Sequence, residues 1–230
     1  MSHFEIAFGD LPETISVFPL SGVLLLPRGR LPLNIFEPRY LNMFEDALAN
    51  DRFIGMIQPT EPEEIPVDAS GDIKDLDHEN MPLHRTGCAG RIVSFEETED
   101  NRLLVTLKGI CRFKAGPELA QQRGYRRVAA DWTRYRQDLV LEEAADIDRG
   151  RLLEALRTYF KEQGLSADWS ALEGTPDEVL VTSLAMTCPF GPVEKQALLE
   201  APDLLERSRV LTALVEMAAY GRSSEGQARQ

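Results

Sequence analysis

The sequence predicts an α+β protein, with a β-rich part over residues 1–140 and a helical part over residues 141–222. Two runs of strand-forming residues, His84–Phe95 and Arg102–Phe113, flank the polar turn residues 96–101, a pattern typical of a β-hairpin. In the second part, apolar residues recur at helical spacing instead. We therefore expect a small closed sheet followed by a helical bundle.

The first half of the β-rich part contains three predicted strands and one helix. A short strand is expected over Ile15–Leu20. A second apolar strand begins at Leu31 and leads into a helix started by Pro38, since proline fits a first helical position. The helix is expected to end near Asn50, and Phe53–Gln58 follows as an uninterrupted apolar strand.

The segment Leu31–Tyr40 joins the second strand to its helix. The strand shows no polar face, so we expect it to be buried. Glu37 is not a favoured capping residue, but its carboxylate would lie at the positive end of the helix, within reach of Arg39. We interpret Phe36, Glu37 and Pro38 as a structural corner. The alternative is that Glu37 and Arg39 contact a ligand.

An acidic segment interrupts the β-rich part. The formal net charge is −13, and residues 61–80 carry eight acidic residues against one lysine, a net charge of −7. The segment has proline and glycine breaks and few large apolar residues, so it cannot offset the entropy lost on ordering. We predict a mobile loop over residues 59–82, with ordering on the sheet as the alternative.

The predicted hairpin shows the clearest strand pattern. Leu103, Val105 and Leu107 share one face, and Gly109 falls where the alternation resets, which is typical of a bulge. Such a bulge bends a strand at a corner of a closed sheet. A further strand with mixed faces is predicted over Arg126–Arg136.

The helical part is predicted to contain four helices. An apolar face over residues 152–160 marks the first helix, which ends at Gly164. Thr175–Glu178 resembles a capping box with proline at the first helical position of the second helix. The remaining two helices are expected over Val193–Glu200 and Pro202–Tyr220.

Composition favours a globular protein outside the membrane. Apolar residues make up 43% and charged residues 27% of the chain. No apolar run approaches the roughly 18 residues that a membrane helix needs, and the N-terminus does not resemble a signal peptide. We therefore expect a cytoplasmic protein with no membrane partner.

Residues 223–230 are polar and are expected to form a disordered tail.

The cysteines and histidines do not show metal-site spacing. Cys88, Cys111 and Cys188 are far apart, so we interpret them as buried apolar residues rather than disulfide or zinc partners. A weak cation site at the end of the acidic loop is an alternative to solvated side chains there, with the candidate ligands Asp75, Asp77, His78 and His84. We expect no metal and no cofactor.

Five segments, in order, resemble one known family. Val17–Leu20, Leu24–Pro27 and Leu33–Tyr40 look like the opening of the N-terminal, substrate-binding domain of Lon proteases. Leu107–Phe113 and Glu194–Glu200 resemble two later segments of that domain. The resemblance implies a PUA-like β-barrel with one inserted helix, followed by a helical bundle, in a domain thought to hold or select polypeptide substrates.

The sequence shows no catalytic pattern. A nucleotide-driven protease needs a glycine-rich phosphate loop ending in Lys-Ser or Lys-Thr, and the chain has none. It also has no G-x-S-x-G elbow, and the residues after His78 do not have H-E-x-x-H spacing. In the Lon family the catalytic residues lie in a further domain, for which this chain has no length left. We therefore expect a stand-alone domain without ATPase or peptidase activity.

The predicted function is binding of a polypeptide or a protein partner, linked to proteolysis or protein quality control. Extended or apolar segments would be held in a groove between barrel and bundle, or would pair with an edge strand. The candidate contact residues are Arg39, Tyr40, Arg112, Trp132 and Tyr135. The oligomeric state stays open, and a homodimer is one possibility.

Nucleic-acid binding is the alternative function. Arginines interleaved with aromatic residues suit phosphate contact and base stacking, and PUA-like folds include RNA binders. The residues concerned, within 123–136, are Arg123, Tyr125, Arg126, Arg127, Trp132, Arg134, Tyr135 and Arg136. Against this, the rest of the chain is acidic, and an edge strand with solvated arginines has the same pattern.

Overall fold

A computed structural model describes residues 6–60, 81–140, 145–162, 164 and 166–227. The chain divides into two compact units, Met1–Leu139 and Val140–Gln230. The predicted mobility of the acidic loop falls on residues 61–80, which lie outside the described residues, as do Asp75, Asp77 and His78 of the alternative cation site.

Unit 1 contains six described strands and one α-helix. Their bounds are β1 Thr14–Pro19, β2 Arg30–Ile35, α1 Pro38–Ala49, β3 Phe53–Ile57, β4 Thr86–Glu97, β5 Leu103–Gln122 and β6 Tyr125–Asp131. Short 3₁₀ turns cover Phe8–Asp10 and Thr133–Leu139. The predicted hairpin is confirmed as β4 and β5.

The strands form one mixed sheet in the order β2-β5-β4-β3-β1-β6, and β6 also pairs with β5. The first half of β5 pairs with β2, whereas its second half, from Lys114 to Gln122, pairs with β6. Only β1 and β3 run parallel among the described pairs. Five strands therefore close into a ring through β5, and β2 lies outside that ring.

Strand β5 can pair with β2 in its first half and with β6 in its second half because it bends. The β4–β5 register shifts between Gly90, which faces Gly109, and Ala89, which faces Cys111. A Cβ atom on Gly109 would lie 1.9 Å from the carbonyl oxygen of Leu26, so only glycine allows the loop before β2 to approach so closely. The predicted bulge at Gly109 is confirmed.

The ring of strands encloses a buried cluster. Its members are Leu11, Ile15, Val17, Phe53, Ile57, Ala89, Cys111, Phe113, Val128, Trp132 and Tyr135. Trp132 packs on Phe113 with 5.5 Å between ring centroids, and its indole nitrogen donates a hydrogen bond to the carbonyl of Pro12 at 2.9 Å. Trp132 is thus held by both packing and a backbone partner.

Two predictions for the strands of unit 1 are wrong. Strand β2 is not buried throughout, because among the described strands it pairs only with β5, and its residues alternate between exposed and half-buried until Ile35, which is buried. The strand predicted over Arg126–Arg136 ends at Asp131, and Trp132 and Tyr135 lie in or beside the following 3₁₀ turn. Their side chains face the core rather than an exposed edge, as the cluster above requires.

Unit 2 contains five described helices, α2 Arg149–Glu162, α3 Trp169–Gly174, α4 Asp177–Thr187, α5 Pro192–Glu200 and α6 Leu204–Gln227. Helix α6 contacts α2, α4 and α5. The apolar residues between them include Leu152, Leu156, Leu180, Val181, Leu198, Leu211 and Val215. The predicted end of α2 near Gly164 is confirmed by the positive φ of that glycine.

The predicted capping box of α4 is wrong. The Thr175 hydroxyl donates to the carbonyl of Ala171 at 2.8 Å and closes α3, a helix that the sequence pattern did not reveal. Pro176 rather than Thr175 then occupies the N-cap position of α4, and its side chain makes no capping hydrogen bond. Arg149 of α2 donates to the carbonyls of Leu172 and Thr175, which fixes this junction.

Helix α6 continues beyond Gly221 to Gln227, so residues 223–227 are helical rather than part of a disordered tail. Each glycine costs a helix only about 1 kcal/mol, and no proline follows Gly221 in the helix, so the helix is not forced to end there. Among the described residues, no helix has both the length and the apolar character needed to cross a bilayer.

Candidate functional site

An open apolar cleft of about 590 Å³ lies in unit 1. The residues that line it are Phe18, Pro19, Leu20, Ser21, Pro32, Leu33, Asn34, Ile35, Phe36, Glu37, Arg39, Tyr40, Pro59 and Met81. They come from the end of β1, from β2, from the start of α1 and from the two sides of the acidic segment. We call this feature the β1–β2 cleft.

Strand β2 borders the cleft along its edge. Four consecutive residues, Pro32–Ile35, line the cleft, so both faces of the strand meet it. Within the described part of the chain β2 pairs only with β5, which leaves its other edge without a strand partner. Pro32 has no N–H group, and an edge strand is where a proline is tolerated.

Stacked aromatic rings build one wall of the cleft. The rings of Phe18 and Tyr40 are 4.2 Å apart between centroids, and Phe44 meets Phe18 edge-on at 6.3 Å. Tyr40 is 7% exposed and Phe44 is fully buried, so α1 presents this wall from a fixed position. Sequence reasoning singled out Tyr40 but missed Phe18, because nothing in the local pattern places the end of β1 beside α1.

An ion pair between Arg39 and Glu37 stabilises the corner before α1. Arg39 donates from Nε at 3.1 Å and from a terminal nitrogen at 2.8 Å to the same oxygen of Glu37. The Arg39 guanidinium also lies 4.8 Å from the centroid of the Tyr40 ring. The predicted Glu37–Arg39 pair is confirmed, and both residues also line the cleft.

Phe36 is a large apolar residue at the cleft whose side chain is exposed to solvent. Its side chain is 60% exposed, although it follows the buried Ile35 directly. The guanidinium of Arg102 lies 5.6 Å from its ring centroid. An exposed aromatic ring beside an apolar cleft is a typical feature of a binding surface.

The far rim of the cleft is tied down by hydrogen bonds. Thr60 donates from its backbone nitrogen to the carbonyl of Pro82 at 2.8 Å. Arg126, which is paired with Glu118, donates to the carbonyl of Met81 at 2.7 Å. Pro59 and Met81 are thereby fixed at the rim, on either side of the acidic segment.

Arg112 lies elsewhere and is fully engaged. It is 3% exposed, and its backbone and side-chain nitrogens donate to Asp138 at 2.7–2.9 Å. Its guanidinium lies 4.5 Å from the Tyr135 ring centroid. The structure therefore separates Arg112, Trp132 and Tyr135, which lie in or against the core, from Arg39 and Tyr40, which share the cleft.

The arginine-rich stretch 123–136 is also distributed among internal partners. Arg123 pairs with Asp46 at 2.7 Å and with Glu45 at 3.0 Å, and Arg126 pairs with Glu118. Arg134 and Arg136 lie over the rings of Tyr135 and Phe8. Nucleic-acid binding through this stretch stays a prediction, but carboxylates already neutralise two of its five arginines.

Asp46 also organises a small polar pocket beside α1. The Tyr125 hydroxyl donates to it at 2.8 Å. Burial, together with the Asp46 charge, raises the pKa of Tyr125 to about 12. Burial opposes ionisation of Asp46, but the hydrogen bonds from Tyr125 and Arg123 outweigh it, so the net pKa of Asp46 lies below its usual value. This network joins α1 to the β5–β6 turn.

The described residues contain no group of three or more metal-ligating side chains. Cys88, Cys111 and Cys188 are free and buried, as the sequence predicted. Burial raises the pKa of the Cys111 thiol to about 12 and that of Cys188 to about 11, so neither is a reactive thiolate at neutral pH.

Comparison with known proteins gives one consistent family. The family model described as the ATP-dependent protease La (LON) substrate-binding domain matches residues 14–216. "Lon protease 2" of Myxococcus xanthus is 25% identical over 208 residues, which cover 90% of this chain and 24% of that protein. "Lon protease" of Syntrophus aciditrophicus is 22% identical over 212 residues. The chain thus spans about a quarter of the length of these relatives.

Solved structures show the same fold at low identity. A Lon N-terminal domain protein from Xanthomonas campestris superposes with a TM-score of 0.56 and 20% identity, covering 87% of this chain and 97% of that one. The N-terminal domain of a Mycobacterium avium complex Lon protease gives a TM-score of 0.56 and 15% identity, covering 88% and 97%. Both cover nearly the whole of the compared domain.

Proposed function

Because this chain belongs to the family of Lon substrate-binding domains, we propose that it binds extended polypeptide segments in the β1–β2 cleft. The family supplies the class of partner, and the matched part is the substrate-binding domain rather than the peptidase domain. The single observation that carries the choice of surface is the apolar cleft beside an unpaired strand edge.

The unpaired edge of β2 gives a physical mode of capture. An extended segment placed there adds a strand to the sheet, and its backbone hydrogen bonds supply affinity for any sequence. Alternate side chains of the segment then face the cleft, where the Phe18–Tyr40 wall receives apolar groups. Binding by backbone and by apolar contact suits a protein that holds many different polypeptides.

Four residues of the cleft have distinct parts in this proposal. Phe36 is the exposed aromatic anchor that loses water on binding. Tyr40 is the fixed wall against which apolar side chains pack. Arg39 and Glu37 form an ion pair at the corner, so a bound segment can cover them without burying an unpaired charge.

We propose in addition a fold type, a cellular compartment and a biological role for this protein. The ring of strands is a PUA-like barrel over residues 1–140, and the helices are a bundle over residues 141–222. The protein acts in the cytoplasm by binding, without catalysis of its own. It serves proteolysis or protein quality control, and a homodimer is compatible with this role.

The test is a binding titration with a fluorescently labelled, uncharged apolar peptide. Replacing Phe36 by glutamine removes the exposed anchor, and we expect affinity to fall about tenfold or more. Met217→Gln is the matched control, because Met217 is 61% exposed and lies on α6 of the other unit. Equal affinity of the two variants and the wild type would contradict the proposal.

A further inference from the structure

Three cationic residues lie side by side on one face of the sheet in unit 1. Arg30 of β2 is directly opposite Lys108 of β5, and Lys108 is directly opposite Arg91 of β4. Residues directly opposite in antiparallel strands point to the same face, and neighbouring strands are about 4.8 Å apart. The three side chains therefore form a row about 10 Å long, which we call the cationic row.

The cationic row has no partner within the described residues. Arg30 and Lys108 are exposed and Arg91 is half-buried. The structure records neither an ion pair nor a side-chain hydrogen bond for any of the three among the described side chains. Elsewhere in unit 1, Arg39, Arg112 and Arg126 are each paired with a carboxylate.

Among the described residues, the next two rows on this face contain a single acidic side chain. The next row along the strands is Pro32, Thr106 and Ser94, all uncharged, and the row after that is Asn34, Leu104 and Glu96. Rows on one face are about 7 Å apart, so Glu96 lies about 14 Å from the cationic row. Like charges directly opposite each other destabilise a sheet. Three neighbouring cations without a described partner are therefore unusual in a chain of net charge −13. An anionic partner would reduce the repulsion among them.

The cationic row and the β1–β2 cleft share one strand. Arg30 begins β2, and Pro32–Ile35 of the same strand line the cleft. The distance from Ile35 to Arg30 along the strand is about 17 Å. An extended segment lying along the β2 edge, with apolar groups in the cleft, therefore places residues about four to six positions further along the segment beside Arg30.

We propose that the cationic row selects polypeptide segments that carry acidic side chains about four to six residues from the apolar side chains held in the cleft. This inference rests on the proposed function and narrows its substrate class. The acidic side chains pair with Arg30 and Lys108 and relieve the repulsion within the row. Since these groups are exposed, the pairing adds selectivity that salt screens, whereas cleft binding persists in salt.

The experiment compares two labelled peptides with the full chain. Both carry the same apolar block, followed at this spacing by either a glutamate block or a glutamine block. At low salt we expect the glutamate peptide to bind about fivefold more tightly than the glutamine peptide. This preference should disappear at an ionic strength of about 0.5 M. The double variant Arg30→Gln/Lys108→Gln should bind both peptides equally. Arg209→Gln, which removes one exposed positive charge from α6, should keep the preference.

Two outcomes would overturn the inference itself: equal binding of both peptides by the wild type, or a glutamate preference that survives in the double variant. A third outcome separates the inference from the proposed function. If Phe36→Gln leaves glutamate-peptide binding intact while the double variant loses it, the row binds acidic peptide but the cleft does not. An RNA oligonucleotide that binds through the row when neither peptide does would overturn the assignment to polypeptide.

Discussion

At the scale of single residues, the separation of partners along the chain decides what the sequence reveals. Arg39 and Glu37 are two residues apart, so their pairing could be predicted from a helix start alone. Arg112 and Asp138 are 26 residues apart, and only the return of the 3₁₀ turn to β5 brings them together. The sequence pattern therefore predicts a contact residue at Arg112, whereas the structure shows it as the buried anchor of the turn.

The Arg112–Asp138 pair yields a prediction for stability. Arg112→Met leaves the Asp138 carboxylate buried without its cation, and removing one partner of a buried pair costs about 3–5 kcal/mol. We expect chemical denaturation to show a loss of this size. The double variant Arg112→Met/Asp138→Leu should recover much of it, because it removes the uncompensated charge. A double variant no more stable than the single one would contradict this account.

Tyr125 yields a prediction for alkaline stability. Its pKa is raised from 10.0 to about 12 in the folded protein by burial and by Asp46. The neutral phenol therefore stabilises the fold fully below pH 10, and this contribution is lost as the pH rises towards 12. We expect Tyr125→Phe to lose less stability than the wild type across this window, measured by denaturation at several pH values. Parallel curves for the two proteins would contradict the assignment.

At the scale of elements, the sequence predicts helices and hairpins, because these follow from local periodicity. It does not predict features that depend on pairing between strands far apart in the chain. The β4–β5 hairpin, helix α1 and helix α5 follow from alternation, from Pro38 and from helical spacing. The apolar residues of β2 suggested burial, because a pattern cannot show whether a strand has one neighbour or two. The sequence predicts that the second strand of the hairpin ends at Phe113, but β5 continues to Gln122. It passes through Pro117, which lies where the β5–β6 register shifts and a ladder hydrogen bond is not needed.

Gly109 tests the bend of β5. A Cβ atom there would meet the backbone of Leu26 at 1.9 Å, so the loop before β2 must move or the strand must straighten. We expect Gly109→Ala to lower the free energy of unfolding by about 2–3 kcal/mol through overpacking. Gly174→Ala is the matched control, because a Cβ atom at Gly174 meets no described atom within 4 Å. If the two variants were equally stable, the close approach at Gly109 would not matter to the fold.

At the scale of the whole molecule, the order of a β-rich part and a helical part was predictable because it depends on local periodicity. The closure of the ring was not, since it depends on β5, a strand of twenty residues, pairing with β4 in its first half and with β6 in its second half. Only some of the residues that line the cleft could be predicted from the sequence. Arg39 and Tyr40 lie in the segment that carries the family resemblance, whereas Phe18 and Met81 reach the cleft only through sheet pairing and the hydrogen bonds of its rim.

A binding role without chemistry predicts a negative result for the purified chain. The match is to the substrate-binding domain, and the sequence contains no phosphate-binding loop. We expect neither ATP hydrolysis nor casein cleavage above the level of a mock purification. Turnover that co-purifies with the protein through successive columns would contradict the proposed function.

The central claim is that polypeptide segments are held at the β1–β2 cleft, and site-specific photo-crosslinking tests it most directly. A benzophenone side chain is placed at position 36, beside the cleft, or at position 217 of α6, where the natural residue is equally exposed. Each protein is irradiated with the uncharged apolar peptide, and covalent adducts are measured by mass spectrometry. The account predicts adducts from position 36 and none above background from position 217. Equal yields at both positions, or adducts from position 217 alone, would contradict it.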